Sequence, residues 1–569
     1  MTDTTNPGAG IAGRFAAWRA GRIAIEGFTW QPQPKAAGLP ARGRQIVAGN
    51  LVLAGNLVET AGRSPWDIPA TSAGFTAALH GFGWLDDLAA LATPEARACA
   101  QDWTTDWIAA HGARRGPGWA PELVGRRQIR WITHAIWLLN GMPPDASRAV
   151  FDTLGRQARF LARRWPAAPP GLPRLEALVG YVQSTTALLG LETARQPARA
   201  ALADHLRREI DSAGGITTRN PEELLEIFAL LTWTAAILSE AGQPQDAALD
   251  AAIARVAPVL RSLRLSDGGL ARFQGGGRGR PGLIDRALRQ AGLRASMARG
   301  DVMGYTRISA GPVVLIADAA APPLGPAAMR SQASTLAFQM SSGAHPIVVS
   351  CGAGHTFGSD WAQAARATSS HSTLALAGYS SARFGRRNDP VLRDGPRQVS
   401  ARRIEVSGVT SLVMSHDGWS GTHGLSHLRT LSLDAGGRLL RGEDGVAAMD
   451  AADRKRLDTV LAHRADRALG FAVHFHLHPD IDATLDLGGD AVSLVLPNGE
   501  VWVFRRLAGG ALSLEPSVYL DSRRLSPRAS KQIVLSGRAS GYGTQTRWSL
   551  ARPVDAPRHR RGARAPRLR

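Results

Sequence analysis

His134 lies in GRRQIRWITHAIWLLNG, three residues after Trp131 and four before Leu138, so all three share one helix face. An imidazole titrates near neutrality and can give or take a proton. Two readings stand for it: a core or groove-wall histidine held by one hydrogen bond, or an acid/base group facing a groove. His371 precedes a strand-like run, Ser372 to Ala377, and is either an anchor for that strand or a second proton carrier. Tyr305, in MGYTRI, stands at the entry to another such run, where packing and proton donation are both open. Glu222 and Glu223 follow Asn220-Pro221 and favour a helix N-terminus or serve as a base. His427 with Arg429, and His476 with His478, lie two apart and share a sheet face. Metal ligation and inter-sheet hydrogen bonding are both open for these pairs.

The elements that must hold these residues change character along the chain. Residues 1 to 65 read as an irregular extension rich in Gly and Pro, with Trp30-Gln31-Pro32-Gln33-Pro34 unable to be helical. Residues 66 to 300 read as helices of about 15 to 20 residues, separated by short Gly/Pro turns. Leu123 to Leu139 reads as one helix, and Pro221 to Glu240 as another with Asn220 at its N-cap. Residues 301 to 552 read as antiparallel strands with turns every 8 to 15 residues. They include Val313 to Asp318, Thr335 to Met340 and Pro346 to Cys351. The GGLARFQGGGRGRPG stretch between the two parts reads as a flexible junction, with no phosphate-cradling context. Residues 553 to 569 read as a disordered Arg-rich tail.

Of 569 residues, 44% are hydrophobic and 20% charged, which suits a globular chain of two or more domains. The formal net charge of +20 comes almost wholly from arginine, since Lys35, Lys455 and Lys531 are the only lysines. These arginines form no recognisable nucleic-acid module, so a specific nucleic-acid partner is not expected. An anionic polymer of another kind suits the same charge. No apolar run reaches the roughly 20 residues a membrane span needs, so no membrane insertion is expected. The first residues lack an apolar leader, which points to the cytoplasm. Cys99 and Cys351 are too few for a disulfide framework.

Residues 332 to 374 carry a family likeness. Gln332-Ala333-Ser334-Thr335-Leu336-Ala337-Phe338, Val349-Ser350-Cys351-Gly352 and His371-Ser372-Thr373-Leu374 resemble three strand motifs of the heparinase II/III polysaccharide lyases. The resemblance implies an α+β protein: an N-terminal (α/α) toroid of helical hairpins followed by a C-terminal antiparallel β-sandwich. It implies cleavage of an acidic, uronic-acid-containing glycan by β-elimination. His134, His371 and Tyr305 become the catalytic candidates, with Arg130 and Arg366 binding substrate. The alternative is a non-catalytic glycan-binding or scaffold protein with a degenerate site. Relatives hold a divalent metal at positions that map here onto Gln332, Ser350 and His371. With two of the three lost to an amide and an alcohol, no metal or other cofactor is expected. The tyrosine that relatives place after Gly214-Gly215 is absent from Ile216-Thr217-Thr218-Arg219-Asn220-Pro221-Glu222-Glu223. The resemblance also points to the cell envelope or periplasm, against the missing leader.

Overall fold

A computed structural model describes residue 25 and residues 27–30, 38–60, 62–113, 116–294, 296–385, 391–486 and 488–553. The expected Arg-rich tail, from residue 554 on, lies outside them. Helical hairpins occupy the first part and antiparallel sheets the second, the toroid-plus-sandwich architecture expected from the motifs. Proline stands at the first position of Pro40–Val47, Pro94–His111, Pro121–Thr133, Pro144–Arg164 and Pro221–Glu240. Its fixed φ suits that position, and its missing N–H costs nothing there. Asn220 caps the last of these helices, its Oδ1 accepting from the Glu222 and Glu223 amides at 3.0 and 3.2 Å.

Three expectations need correction. The extension to residue 65 is not irregular throughout. It contains the Pro40–Val47 helix and a hairpin of Asn50–Leu53 with Asn56–Glu59. The helix expected over Leu123 to Leu139 breaks at His134, where ψ is 12°, into Pro121–Thr133 and Ala135–Leu139. The strand expected from Thr335 begins at Phe338, because Leu336 takes a left-handed φ of 63°.

Helix Pro121–Thr133 crosses helix Leu172–Ala187 at very short range. A Cβ on Gly125 would lie 2.3 Å from the Glu176 carbonyl oxygen, and one on Gly180 would lie 2.6 Å from the Gly125 Cα. Two glycines therefore let the backbones touch, and this brings Arg126 and Arg130 over the Leu172–Ala187 helix.

One eight-stranded sheet runs in the order Val399–Val406, Val409–Trp419, Leu425–Leu433, Leu439–Ala447, Gly543–Ala551, Val501–Ala508, Ala491–Val495, Asp482–Leu485. The facing sheet runs Ala511–Tyr519, Arg528–Ala539, Leu469–Leu477, His345–Val349, Phe338–Ser342, Val313–Asp318, Tyr305–Ala310, with Leu374–Leu376 also paired to Leu469–Leu477. Phe338, Phe475, Phe504 and Trp548 pack between the two. Every residue of Val313–Asp318 is buried, because the outer face of its sheet lies on the helical part. The toroid core accordingly continues through Tyr305, Val314, Ile316 and Ala337.

Candidate functional site

The stretch expected to be a flexible junction is a packed clasp between the two parts. Residues 269–276 are all buried. A Cβ on Gly276 would sit 2.3 Å from the Asn220 cap oxygen, and one on Gly275 would sit 2.8 Å from the Arg330 Cβ. The glycines serve close approach, not mobility. Arg272, fully buried, donates to the carbonyls of Ser350, Cys351 and Leu520 and lies 4.0 Å over the Tyr519 ring. Gln339 completes the join, accepting from the Arg272 amide at 3.2 Å and donating to its carbonyl at 2.8 Å. From the toroid side, Arg219 reaches Asp318 at 2.5 Å and donates to the carbonyls of Met303, Gly304 and Ala321.

Tyr305 belongs to this clasp. Its hydroxyl donates to the Arg219 carbonyl at 2.6 Å, and its ring stacks on Phe273 with centroids 5.3 Å apart. It is 1% exposed, and burial holds its phenol well above the ordinary range. His371 is likewise enclosed, with Nδ1 3.2 Å from the Ser350 hydroxyl. Burial lowers its pKa to about 3, so it stays neutral at physiological pH. Arg366 donates to the carbonyls of Ser331 and Ala328 and lies over Phe384, holding a loop together.

His134 and Arg130 do meet. His134 Nε2 lies 2.9 Å from Asp86 Oδ1, and Arg130 Nε lies 3.3 Å from Asp86 Oδ2. Burial pushes the Asp86 carboxyl up, but Arg130 and His134 outweigh it and hold it below its usual range. On the same helix Arg126 pairs with Glu176 at 2.7 Å, while Arg127 is buried 3.9 Å over the Trp107 ring.

A cavity of about 370 Å³ opens where toroid, clasp and sandwich converge. Arg130 and Asp86 line it, but His134, Tyr305, His371 and Arg366 do not. Glu226, Trp233, Arg280 and His355, none of them in a sequence motif, do line it. Part of that signal was available. Glu222, Glu226, Leu230 and Trp233 recur at helical spacing, one face of Pro221–Glu240. Arg278 and Arg280 sit in the glycine stretch, whose packing only the fold reveals.

The metal positions do not fit an ion. The Gln332 amide nitrogen donates to the carbonyls of Gly352 and Ala365 at 3.2 and 3.1 Å, which leaves only its neutral amide oxygen, buried and without a hydrogen-bond partner, to face an ion. Ser350 offers His371 a neutral hydroxyl. Zinc prefers imidazole, thiolate or carboxylate, and only His371 supplies one of these. The other histidine pairs serve the sandwich. His427 Nε2 lies 3.0 Å from Asp444, which also accepts from Arg429 and Trp548. His476 lies against Ser517 at 2.8 Å and the Ser369 carbonyl at 2.9 Å. Among the described residues no cluster of three His, Cys, Asp or Glu side chains is placed to hold a metal.

A helical toroid followed by an antiparallel sandwich is also the fold of heparinase III. Heparinase III superposes with a TM-score of 0.69 at 13% identity, covering 95% of this chain and 89% of that one. A heparan sulfate lyase HepC mutant from Pedobacter heparinus gives 0.58, also at 13%, covering 95% and 87%. Residues 293–549 match the family described as Heparinase II/III-like, C-terminal. The FtsZ-localized protein C of Caulobacter vibrioides (strain NA1000 / CB15N) is 32% identical over 540 residues, 93% of this chain and 90% of that protein. The chain belongs to the heparinase II/III-like family. Among the described residues no helix is long and apolar enough to cross a membrane.

Proposed function

We propose that this chain is a heparinase II/III-like binding or scaffold protein that has kept the lyase fold without its turnover, and that it works with an FtsZ-containing assembly. One observation carries the first half. The metal positions are enclosed, with His371 neutral and wholly buried, its Nδ1 against the Ser350 hydroxyl, and the Gln332 amide nitrogen tied to two backbone carbonyls, while His371 Nε2 and Gln332 Oε1 are buried without a hydrogen-bond partner. A proton carrier must reach its substrate within hydrogen-bond distance, and His371 and Tyr305 are both walled off from the cavity. Glu223, in the turn that lacks the tyrosine, accepts from the Thr218 hydroxyl at 2.8 Å and the Leu172 amide at 3.3 Å, so it too is occupied. The second half rests on the near full-length likeness to the FtsZ-localized relative. This reading goes with a cytoplasmic location rather than the envelope or periplasm.

The test is co-sedimentation of the purified chain with FtsZ polymers from the same organism. The reading expects the chain in the pellet only when polymers form. Its absence from the pellet at concentrations where polymers are abundant would count against the division role.

The second reading keeps β-elimination on an acidic glycan. Roles for His134, His371 and Tyr305 in proton exchange, with Arg130 and Arg366 on the carboxylate, belong to it. One feature of the cavity favours it: burial, then the Glu226 charge, raises the Glu222 carboxyl, as a general base requires.

A further inference from the structure

Arg127 carries a charge that no side chain in the toroid core answers. It is fully buried on the Pro121–Thr133 helix, its guanidinium 3.9 Å over the Trp107 ring and 6.0 Å from the Phe82 ring. Nη1 donates to the carbonyls of His80 and Gly118 at 2.9 and 3.1 Å, and Nε donates to Gln157 Oε1 at 2.9 Å. Nη2 is buried without a hydrogen-bond partner. Among the described residues no carboxylate pairs with this arginine, and burial alone pushes its pKa well below the ordinary range. His80, lowered to about 3, is neutral and brings no negative charge.

Gln157 deepens the imbalance. Its oxygen is taken by Nε, and its own Nε2 is a second buried donor with no partner. Nε and Nη2 form the guanidinium edge that a carboxylate grips with two oxygens. An amide stands at that edge here, so it supplies one acceptor and sets more N–H donors beside an arginine that stays charged. Gln128 Oε1, on the next residue of the helix, is a buried acceptor without a partner. It is neutral, as water is. Either could answer a hydrogen bond, but neither answers the charge, and a buried ion left unpaired is costly.

We propose that the toroid core binds one small monovalent anion, chloride, at Arg127 Nη2 and Gln157 Nε2. A single charge matches the single guanidinium, and the site stands whether or not the interdomain cavity turns over a glycan. Thermal melts of the full chain test it, with chloride replacing gluconate at constant ionic strength. An anion released on unfolding raises the melting midpoint with its concentration. The midpoint should rise by about 2–4 °C between about 1 and 100 mM chloride. Gln157→Glu, whose carboxylate would grip the same edge, should melt higher in gluconate and lose the chloride response. Crystals of the parent protein soaked in bromide should show an anomalous peak beside Arg127 Nη2, so a misfolded variant does not leave the location open. Parent midpoints indifferent to the exchange of chloride for gluconate would overturn the proposal. So would an undiminished chloride response in Gln157→Glu, or bromide peaks that avoid Arg127.

Discussion

His134 Nε2 sits 2.9 Å from Asp86 Oδ1, a residue 48 positions earlier, and this contact joins the helix that carries Arg130 to the entry of the toroid. Asp86 is the hinge of the arrangement, since its other oxygen faces Arg130. Its carboxyl is lowered in the folded state, so it contributes stability above its unfolded pKa that fades as pH falls through the folded value. Asp86→Asn should cost about 1–3 kcal/mol at pH 7. The difference from the parent should shrink below about pH 4, the ordinary carboxylate value. Urea denaturation at several pH values measures this, and a pH-independent difference would contradict it.

Neutral buried histidines should make the fold acid-labile. Burial lowers His371 to about 3, His80 to about 3 and His476 to about 4. Unfolded histidines take a proton near pH 6.5, whereas these folded ones do not until far lower. Their stability is therefore complete above pH 6.5 and is lost progressively down to about pH 3. Tryptophan fluorescence during thermal melts should show the midpoint falling over that window. His371→Gln should flatten the slope; parallel slopes for the variant and the parent would show that His371 is not among the groups responsible.

The glycine clasp should be intolerant of a methyl group. A Cβ at Gly276 would lie 2.3 Å from the Asn220 oxygen that caps Pro221–Glu240. Gly276→Ala should destabilise by about 2 kcal/mol, from overpacking and a weakened cap. Gly62→Ala, with nothing within 4 Å of its Cβ but φ at 79°, is a control for backbone strain alone. A smaller loss at Gly276 than at Gly62 would sink the account of the clasp.

A chelator should leave the melting midpoint nearly unchanged, because a structural metal would add its binding energy to folding and Gln332 and Ser350 are poor ligands. A large drop, restored by zinc, would show a metal site elsewhere, with His476 and His478 the first place to look.

Local signals were legible in the sequence, and long-range ones were not. Asn220-Pro221 announced a capped helix, and the cap oxygen does accept from two amides. His427 and Arg429 announced a shared sheet face, and both meet Asp444. The sequence supports a hydrogen-bonded His134 but not its partner Asp86, because nothing local connects two residues so far apart. The break at His134 and the left-handed Leu336 are imposed by packing against propensity. Arg280 and Glu226 were ordinary charged residues until the clasp and the Pro221–Glu240 helix placed them on one cavity.

The most direct measurement is ultraviolet detection of unsaturated uronate when the purified parent protein meets heparan sulfate and other acidic glycans, with and without added divalent metal. A binding or scaffold protein gives no product above a heat-denatured control in any mixture. Steady formation of unsaturated product, abolished by His134→Ala or His371→Ala in variants that still fold, would contradict it and restore the lyase reading.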